Sequence, residues 1–170
     1  GRIRVGLRVN PVCPPAGAGM RMGGGPQPFG VDEEELAGTA ARLAGLENLE
    51  MRGLQAYTGT QVADAAWLLE LWEHLFDLAA GLAAARGGPL DYLDLGGGFA
   101  VPHHEREKEL DLDALALGLA PLWERHRGRT VRRLLVEPGR FLVARGGTWL
   151  CRVVEVKRSR GRRYLVVGGG

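Results

Sequence analysis

Val5, Leu7 and Val9 alternate with Gly6 and Arg8 along the first residues of the chain. Apolar positions at a period of two predict a β-strand with one covered face, and the run stops at Asn10-Pro11, a loop signal. From Pro11 to Gly30 the chain is rich in Gly and Pro and holds no periodic pattern, which predicts a long loop that is either functional or disordered. Asp32 with Glu35 three residues on has the spacing of a capping box. It opens a predicted helix whose apolar side holds Leu36, Ala40, Leu43 and Ala44 and which ends near Gly45. Leu49, Met51, Leu54 and Tyr57 predict a second strand, and Thr58-Gly59-Thr60-Gln61 follows it as a connection. Trp67, Leu68, Leu71, Trp72, Leu75, Leu78, Ala79 and Leu82 recur at helical spacing, and Gly87-Gly88-Pro89 ends that long helix. Tyr92 to Leu95 is a third strand running into Gly96-Gly97-Gly98. Leu112, Leu115, Leu119 and Leu122 mark another helix before Arg127-Gly128, and Leu134 to Val136 a fourth strand.

Strand and helix thus alternate about four times, which calls for an α/β fold with parallel strands and right-handed crossovers. Four such units make half of an eight-unit barrel. After Arg140 the texture changes: Trp149, Cys151 and Val153, a turn, then Tyr164 to Val167, with no long helix between. That reads as the start of an antiparallel β domain, so the expected domains are a partial barrel over residues 1–145 and the opening of a second domain over 146–170.

Composition narrows the function classes. The 170 residues are 45% hydrophobic and 25% charged, and 22 Lys+Arg against 20 Asp+Glu leave a formal charge of +2. An ordinary globular composition with so small a net charge gives no field for nucleic acid or anionic lipid. The Arg-rich stretch Lys157 to Arg163 is the local exception, expected as a solvated turn between strands. Cys13 and Cys151 are far apart and have no Cys or His at metal-ligand spacing, so no metal is expected and a reducing, cytoplasmic setting fits. The first ten residues alternate rather than form a signal core, and Asp64, Glu70, Glu73, His74 and Asp77 interrupt the longest apolar stretch. Neither export nor a membrane span is indicated.

In parallel α/β folds ligands gather where strands end. Four segments there carry chemistry: the loop after Asn10, Tyr57 to Gln61, Gly96 to Phe99, and Glu137 to Arg140. Gly96-Gly97-Gly98 lets backbone N–H groups approach an anion, although a three-glycine turn is equally plain backbone geometry. Glu137-Pro138-Gly139-Arg140 adds a turn ending in a guanidinium, the group best shaped to grip phosphate. Taken alone, Glu137 could equally be an ion-pair partner of a nearby Arg.

The order of motifs says more than any one of them. Leu7-Arg8-Val9-Asn10-Pro11, Pro28-Phe29-Gly30-Val31, Gly53 to Gln61, Asp94-Leu95-Gly96-Gly97-Gly98-Phe99 and Val136-Glu137-Pro138-Gly139-Arg140 follow one another across nearly the whole chain. The series resembles the diaminopimelate/ornithine/arginine decarboxylase family, with an alanine-racemase-like barrel that binds pyridoxal 5'-phosphate. Gly19 to Pro26 and Cys151-Arg152-Val153-Val154 look most like the branch associated with exosortase gene clusters. The resemblance implies the C-terminal half of a pyridoxal-phosphate-binding (β/α)8 barrel, followed by the first strands of a β domain. It also implies decarboxylation of an amino acid, a small-molecule substrate, and a homodimer in the full-length protein.

By the same resemblance Glu137 is the catalytic carboxylate that pairs with the cofactor's ring nitrogen. Gly96, Gly97, Gly98, Gly139 and Arg140 hold the phosphate, with Thr60 where the family has a serine. Tyr57 stands where many members stack a histidine on the ring; without the resemblance it reads as a core aromatic. Gln55 replaces another family histidine and is given no role, and His103 and His104 read as solvated loop residues. The family's Schiff-base lysine lies upstream of anything present, and the two lysines, Lys108 and Lys157, fit neither its motif nor its place. Gly168 also stands where the family has an aspartate. The chain is therefore expected to be a fragment or one part of a split enzyme, inactive by itself. The alternative is a catalytically inert, regulatory or binding homologue. A racemase fits less well, because it would set an Arg rather than Glu137 against the ring nitrogen.

Overall fold

Arg8, Gln55 and Asp94 stand side by side on three neighbouring strands, and the fold follows from what lies on either side of that row. A computed structural model describes residues 1–12, 18–21 and 25–169. Strands β1 (Ile3–Asn10), β4 (Leu49–Ala56), β6 (Tyr92–Gly97) and β7 (Leu134–Glu137), with the two-residue β3 (Val31–Asp32), form one sheet in the order β3-β1-β4-β6-β7. Every pairing in it is parallel. The intervening helices are α1 (Glu33–Ala44), α2 (Ala65–Arg86) and α3 (Leu112–His126). Four long strands and their crossovers give the α/β architecture that the alternating pattern predicts.

The two faces of the sheet differ. Leu7, Leu54 and Leu93 are register partners, and with Val9, Ala56 and Leu95 they form the buried side under the helices. Helix α2 supplies the largest share of that core through Trp72, Leu75, Phe76 and Ala79, all at most 1% exposed. Asp64 caps α2 by accepting the Trp67 N–H, and Gly87 ends it in the left-handed conformation at φ 79°.

The opposite face is layered. Gly6, Gly53 and Tyr92 are register partners, and the phenol ring lies across both glycines, so closely that a Cβ on Gly53 would sit 2.4 Å from it. One layer further along the strands come Arg8, Gln55 and Asp94, again in register. Because side chains two apart share a face, the ring floors a polar layer at the strand ends, as side-chain layers fill barrel interiors.

Several expectations are corrected. Asp32 precedes α1 but makes no side-chain cap; its Oδ1 accepts from Asn10 Nδ2 at 2.7 Å, a bond that fixes the end of β1. Ala44 is exposed rather than part of the apolar side. The Pro11 to Gly30 segment contains strand β2 (Ala18–Arg21), paired antiparallel with β5 (Gly59–Val62), so Gly59-Thr60-Gln61 is a strand and not a simple connection. Gly139–Val143 is a short helix, α4, rather than a turn leading directly into strands. Strands β8 (Val153–Ser159) and β9 (Arg162–Val167) form the antiparallel hairpin; its turn is only Arg160-Gly161, both at positive φ, and the other basic residues lie in the strands. Cys13, residues 22–24 of the Gly19 to Pro26 motif and Gly170 lie outside the described residues.

Candidate functional site

The ends of β4, β6 and β7 converge because glycines let their backbones touch. A Cβ on Gly96 would lie 2.3 Å from Ala56 O, one on Gly97 2.1 Å from Glu137 O, and one on Gly98 1.9 Å from Gly59 O. The chain's own packing thus requires the three glycines. Beyond them, Val62 N–H donates to Gly98 O at 2.9 Å and Ala100 N–H to Val62 O at 3.0 Å. The Gln61 side chain is held at both ends by the backbone of Val101. These bonds stitch β5 against the glycine turn and set Thr60 beside Gly98.

A cleft of about 220 Å³ opens at this point, lined by Tyr57, Thr60, Gly98, Glu137, Gly139 and Arg140, with Phe99, Pro138 and Phe141. Six of the eight residues expected to form the site therefore line one cavity. Gly96 and Gly97 belong to the same turn but lie behind its surface, against Ala56 and Glu137. Arg140 is exposed and takes part in no ion pair or side-chain hydrogen bond among the described residues. A guanidinium left without a protein partner at a cleft mouth is available to an anion. Thr60 and Arg140 also border a second, wider cleft of about 560 Å³, lined further by Gln61, His103, Glu107 and Lys108.

Glu137 does not stand alone. Partial desolvation raises its carboxyl above the ordinary carboxylate value; the neighbouring Asp94 pushes the same way, while Arg8 and Gln55 oppose them. Arg8 lies between two rings, 5.2 Å from the centroid of Phe29 and 5.9 Å from that of Tyr57. The Pro28-Phe29-Gly30-Val31 motif thereby gains a physical reading. Gly30, at φ 81°, lets the chain pass against the backbone of residues 8–10, which brings Phe29 onto the guanidinium.

Arg8, Gln55 and Asp94 belong to this constellation, although none was assigned a role from sequence. The signal for them was partial: each is a polar residue within the last four positions of its strand, but β1 and β4 carry other polar residues that do not reach the site. His103 and His104 are exposed and lean on Glu107. The His103 backbone N–H, first, holds the Glu107 carboxyl below its usual value. Lys108 lies in the loop bordering the wider cleft and Lys157 in the hairpin.

Comparison with known proteins agrees with the motif order. Residues 1–144 match the family model described as the pyridoxal-binding domain of pyridoxal-dependent decarboxylases. The chain is 29% identical over 169 residues to the L-glutamyl-(BtrI acyl-carrier protein) decarboxylase of Niallia circulans, covering 98% of this chain and 40% of that protein. It is 38% identical over 132 residues to the diaminopimelate decarboxylase of Actinosynnema pretiosum, covering 76% and 29%. Among solved structures, diaminopimelate decarboxylase from Helicobacter pylori complexed with L-lysine superposes with a TM-score of 0.80 at 26% identity, over 99% of this chain and 41% of that one. The chain spans about 40% or less of the length of these relatives.

Proposed function

Because the chain belongs to the pyridoxal-dependent decarboxylase family, we propose that it forms the phosphate cradle and the ring-nitrogen carboxyl of an amino-acid decarboxylase whose remaining parts, the anchoring lysine included, are supplied by other residues. The observation that carries this reading is the cleft itself. The Arg140 guanidinium, which has no ion-pair partner among the described residues, and the Glu137 carboxyl face one cavity of about 220 Å³, with Thr60 and Gly98 in its wall. The donor set suits a phosphate, and the carboxyl suits a ring nitrogen that must stay positive.

When bound, pyridoxal phosphate supplies the electron sink for the bond that breaks as carbon dioxide leaves. The chain's own residues do the rest of the work assigned here. Arg140, the Thr60 hydroxyl and the backbone N–H groups of Gly98 and Gly139 bind the dianion, with Gly96 and Gly97 shaping the turn behind them. Glu137 holds a proton at the ring nitrogen, and Tyr57 gives the ring an aromatic wall. Arg8, already stacked between Phe29 and Tyr57, keeps that wall in place.

The substrate class we propose is an amino acid, a small molecule, taken up by a cytoplasmic enzyme that is a homodimer at full length and has no nucleic-acid or membrane partner; among the described residues no helix is long and apolar enough to cross a membrane. The proposed domain boundary falls near residue 145, after α4 and before the β8–β9 hairpin. Assignment to the exosortase-associated branch rests on the motif at Gly19 to Pro26 and on Cys151 to Val154.

An absorbance titration of the purified chain with pyridoxal phosphate tests the reading. Saturable binding is expected, weakened about tenfold or more by Arg140→Ala, since a hydrogen bond to a charged group contributes roughly 1.5–3 kcal/mol. Borohydride reduction and mass spectrometry should find no adduct on Lys108 or Lys157. A folded chain that does not bind, or binds equally well without Arg140, would overturn it and favour an inert, regulatory homologue.

A further inference from the structure

Gln61 breaks the geometry of its own strand. It lies inside β5 at φ 56° and, with Arg160, is one of two residues other than glycine at positive φ among the described residues. A Cβ makes that region of backbone space costly. Side chains alternate faces along a regular strand, yet Thr60 and Gln61 are consecutive and both border the wider cleft beside the cradle. The left-handed backbone at Gln61 interrupts the alternation at this point.

The side-chain amide offsets the cost. Gln61 Nε2 donates to Val101 O at 3.0 Å, and Gln61 Oε1 accepts the Val101 N–H at 3.1 Å. One primary amide thus meets both main-chain groups of a single residue, and donor and acceptor together fix which end of the amide is oxygen. Nε2 also lies 3.2 Å from His103 Nδ1. On the other side of Gln61, Val62 N–H donates to Gly98 O and Val62 O accepts the Ala100 N–H. Thr60 packs onto the glycine turn, since a Cβ on Gly98 would lie 3.2 Å from the Thr60 Cα. We propose that Gln61 is a positioning residue, whose amide clamp on Val101 holds a left-handed backbone and so seats Thr60 in the wall of the cleft.

The geometry asks for glutamine in particular. Glycine accepts the left-handed backbone without strain but has no amide to clamp with. Asparagine also tolerates that region, but its amide stands one methylene too short to reach both groups of Val101. Glutamate keeps an acceptor for the Val101 N–H and sets a second acceptor against Val101 O, where a donor is needed. The clamp is a property of the chain without any ligand, and only the meeting of Thr60 with a phosphate rests on the function proposed above.

Amide NMR with hydrogen exchange on the cofactor-free chain tests the clamp. The Val101 N–H should be protected, and Gln61→Gly should speed its exchange about tenfold, the scale of one lost hydrogen bond. The same variant should shift the Thr60 and Gly98 amides and leave those of α1 unmoved; Gln61→Asn gives a second reading if Gln61→Gly fails to fold. Titration with pyridoxal phosphate reads the consequence. Gln61→Gly should weaken binding about tenfold, and Thr60→Ala, which weakens binding to the unmodified chain, should cost little more in the Gln61→Gly background. An unprotected Val101 N–H in the unmodified chain overturns the proposal, as do Thr60 and Gly98 amides that a folded variant leaves unmoved. A full further loss from Thr60→Ala in the Gln61→Gly background overturns it too, because Gln61 would then not act through Thr60. If the amides behave as described and the unmodified chain does not bind pyridoxal phosphate, the clamp stands and the cofactor reading alone fails.

Discussion

Gly53 shows how far a single residue reaches in this chain. It has no side chain to contribute, yet it permits Tyr92 to lie flat across β1 and β4 and close the polar layer from below. A Cβ there overlaps three ring carbons at 2.4 to 2.6 Å, so Gly53→Ala should destabilise the fold by about 1–3 kcal/mol, as overpacking does. Denaturant unfolding of Gly53→Ala, Tyr92→Leu and the double variant checks it, with the double variant costing less than the sum. Equal additivity would mean that the ring does not rest on that glycine. Residues of this kind are only partly legible in sequence. All six polar residues sit in motifs, but only Glu137, Arg140 and Thr60 carry a role there that the residue type suggests; Gln55, Asp94 and Arg8 come together through register, and register exists only once β1, β4, β6 and β7 have paired.

Elements held by a continuous apolar stripe were legible, and those held by distant partners were not. The spacing of Trp67 to Leu82 predicts α2, and the four leucines from Leu112 to Leu122 predict α3, because helix periodicity is written locally. Strands β2 and β5 are four residues each and are stabilised by one another across some forty positions. The expected cap at Asp32 failed for a related reason: Asn10, far upstream, offers its Oδ1 a bond that competes with the local one. The junction after α3 yields a prediction of its own. His126 stacks on Phe76 with centroids 4.7 Å apart and contacts Thr130 Oγ1 at 3.0 Å. Burial, then Arg125, lowers its pKa from 6.5. A folded value below the unfolded one means that the unfolded chain binds more protons, so this contribution to stability is lost as pH falls below 6.5. Glu137 has the opposite sign. Its carboxyl is raised from 4.5, so its contribution is present at low pH and is lost as pH rises above 4.5 through the folded value. Between these pH values the two slopes oppose each other. His126→Phe should remove one of them and leave stability that declines with rising pH, measured by urea unfolding across that window. An unchanged pH profile would show that His126 is charged equally in both states.

At the scale of the whole molecule, the helix-covered face is finished and the opposite end is not. Strand β7 lies at the edge of the sheet with Leu135 and Val136 exposed, Leu142 and Val143 of α4 are exposed beside it, and Trp149 and Leu150 follow. Large exposed apolar residues in and soon after a strand with one open edge mark a surface made for contact. The purified chain should therefore self-associate with rising concentration, and Trp149→Lys with Leu150→Lys should reduce that association in sedimentation velocity. A monomer at all concentrations would contradict this reading of the surface. The overall architecture was legible because strand–helix alternation dictates a parallel sheet, while the exposure of β7 could be seen only with the sheet assembled.

The central claim is that one cleft, at the ends of β4, β6 and β7, receives the phosphate and the ring of pyridoxal phosphate. Backbone amide NMR mapping of the folded chain during titration with the cofactor tests it most directly. The account predicts saturable shifts concentrated at Thr60, Gly96 to Gly98 and Gly139-Arg140, with little change along α1 and the outer face of α2. Saturable shifts centred elsewhere, or none at all, would contradict it.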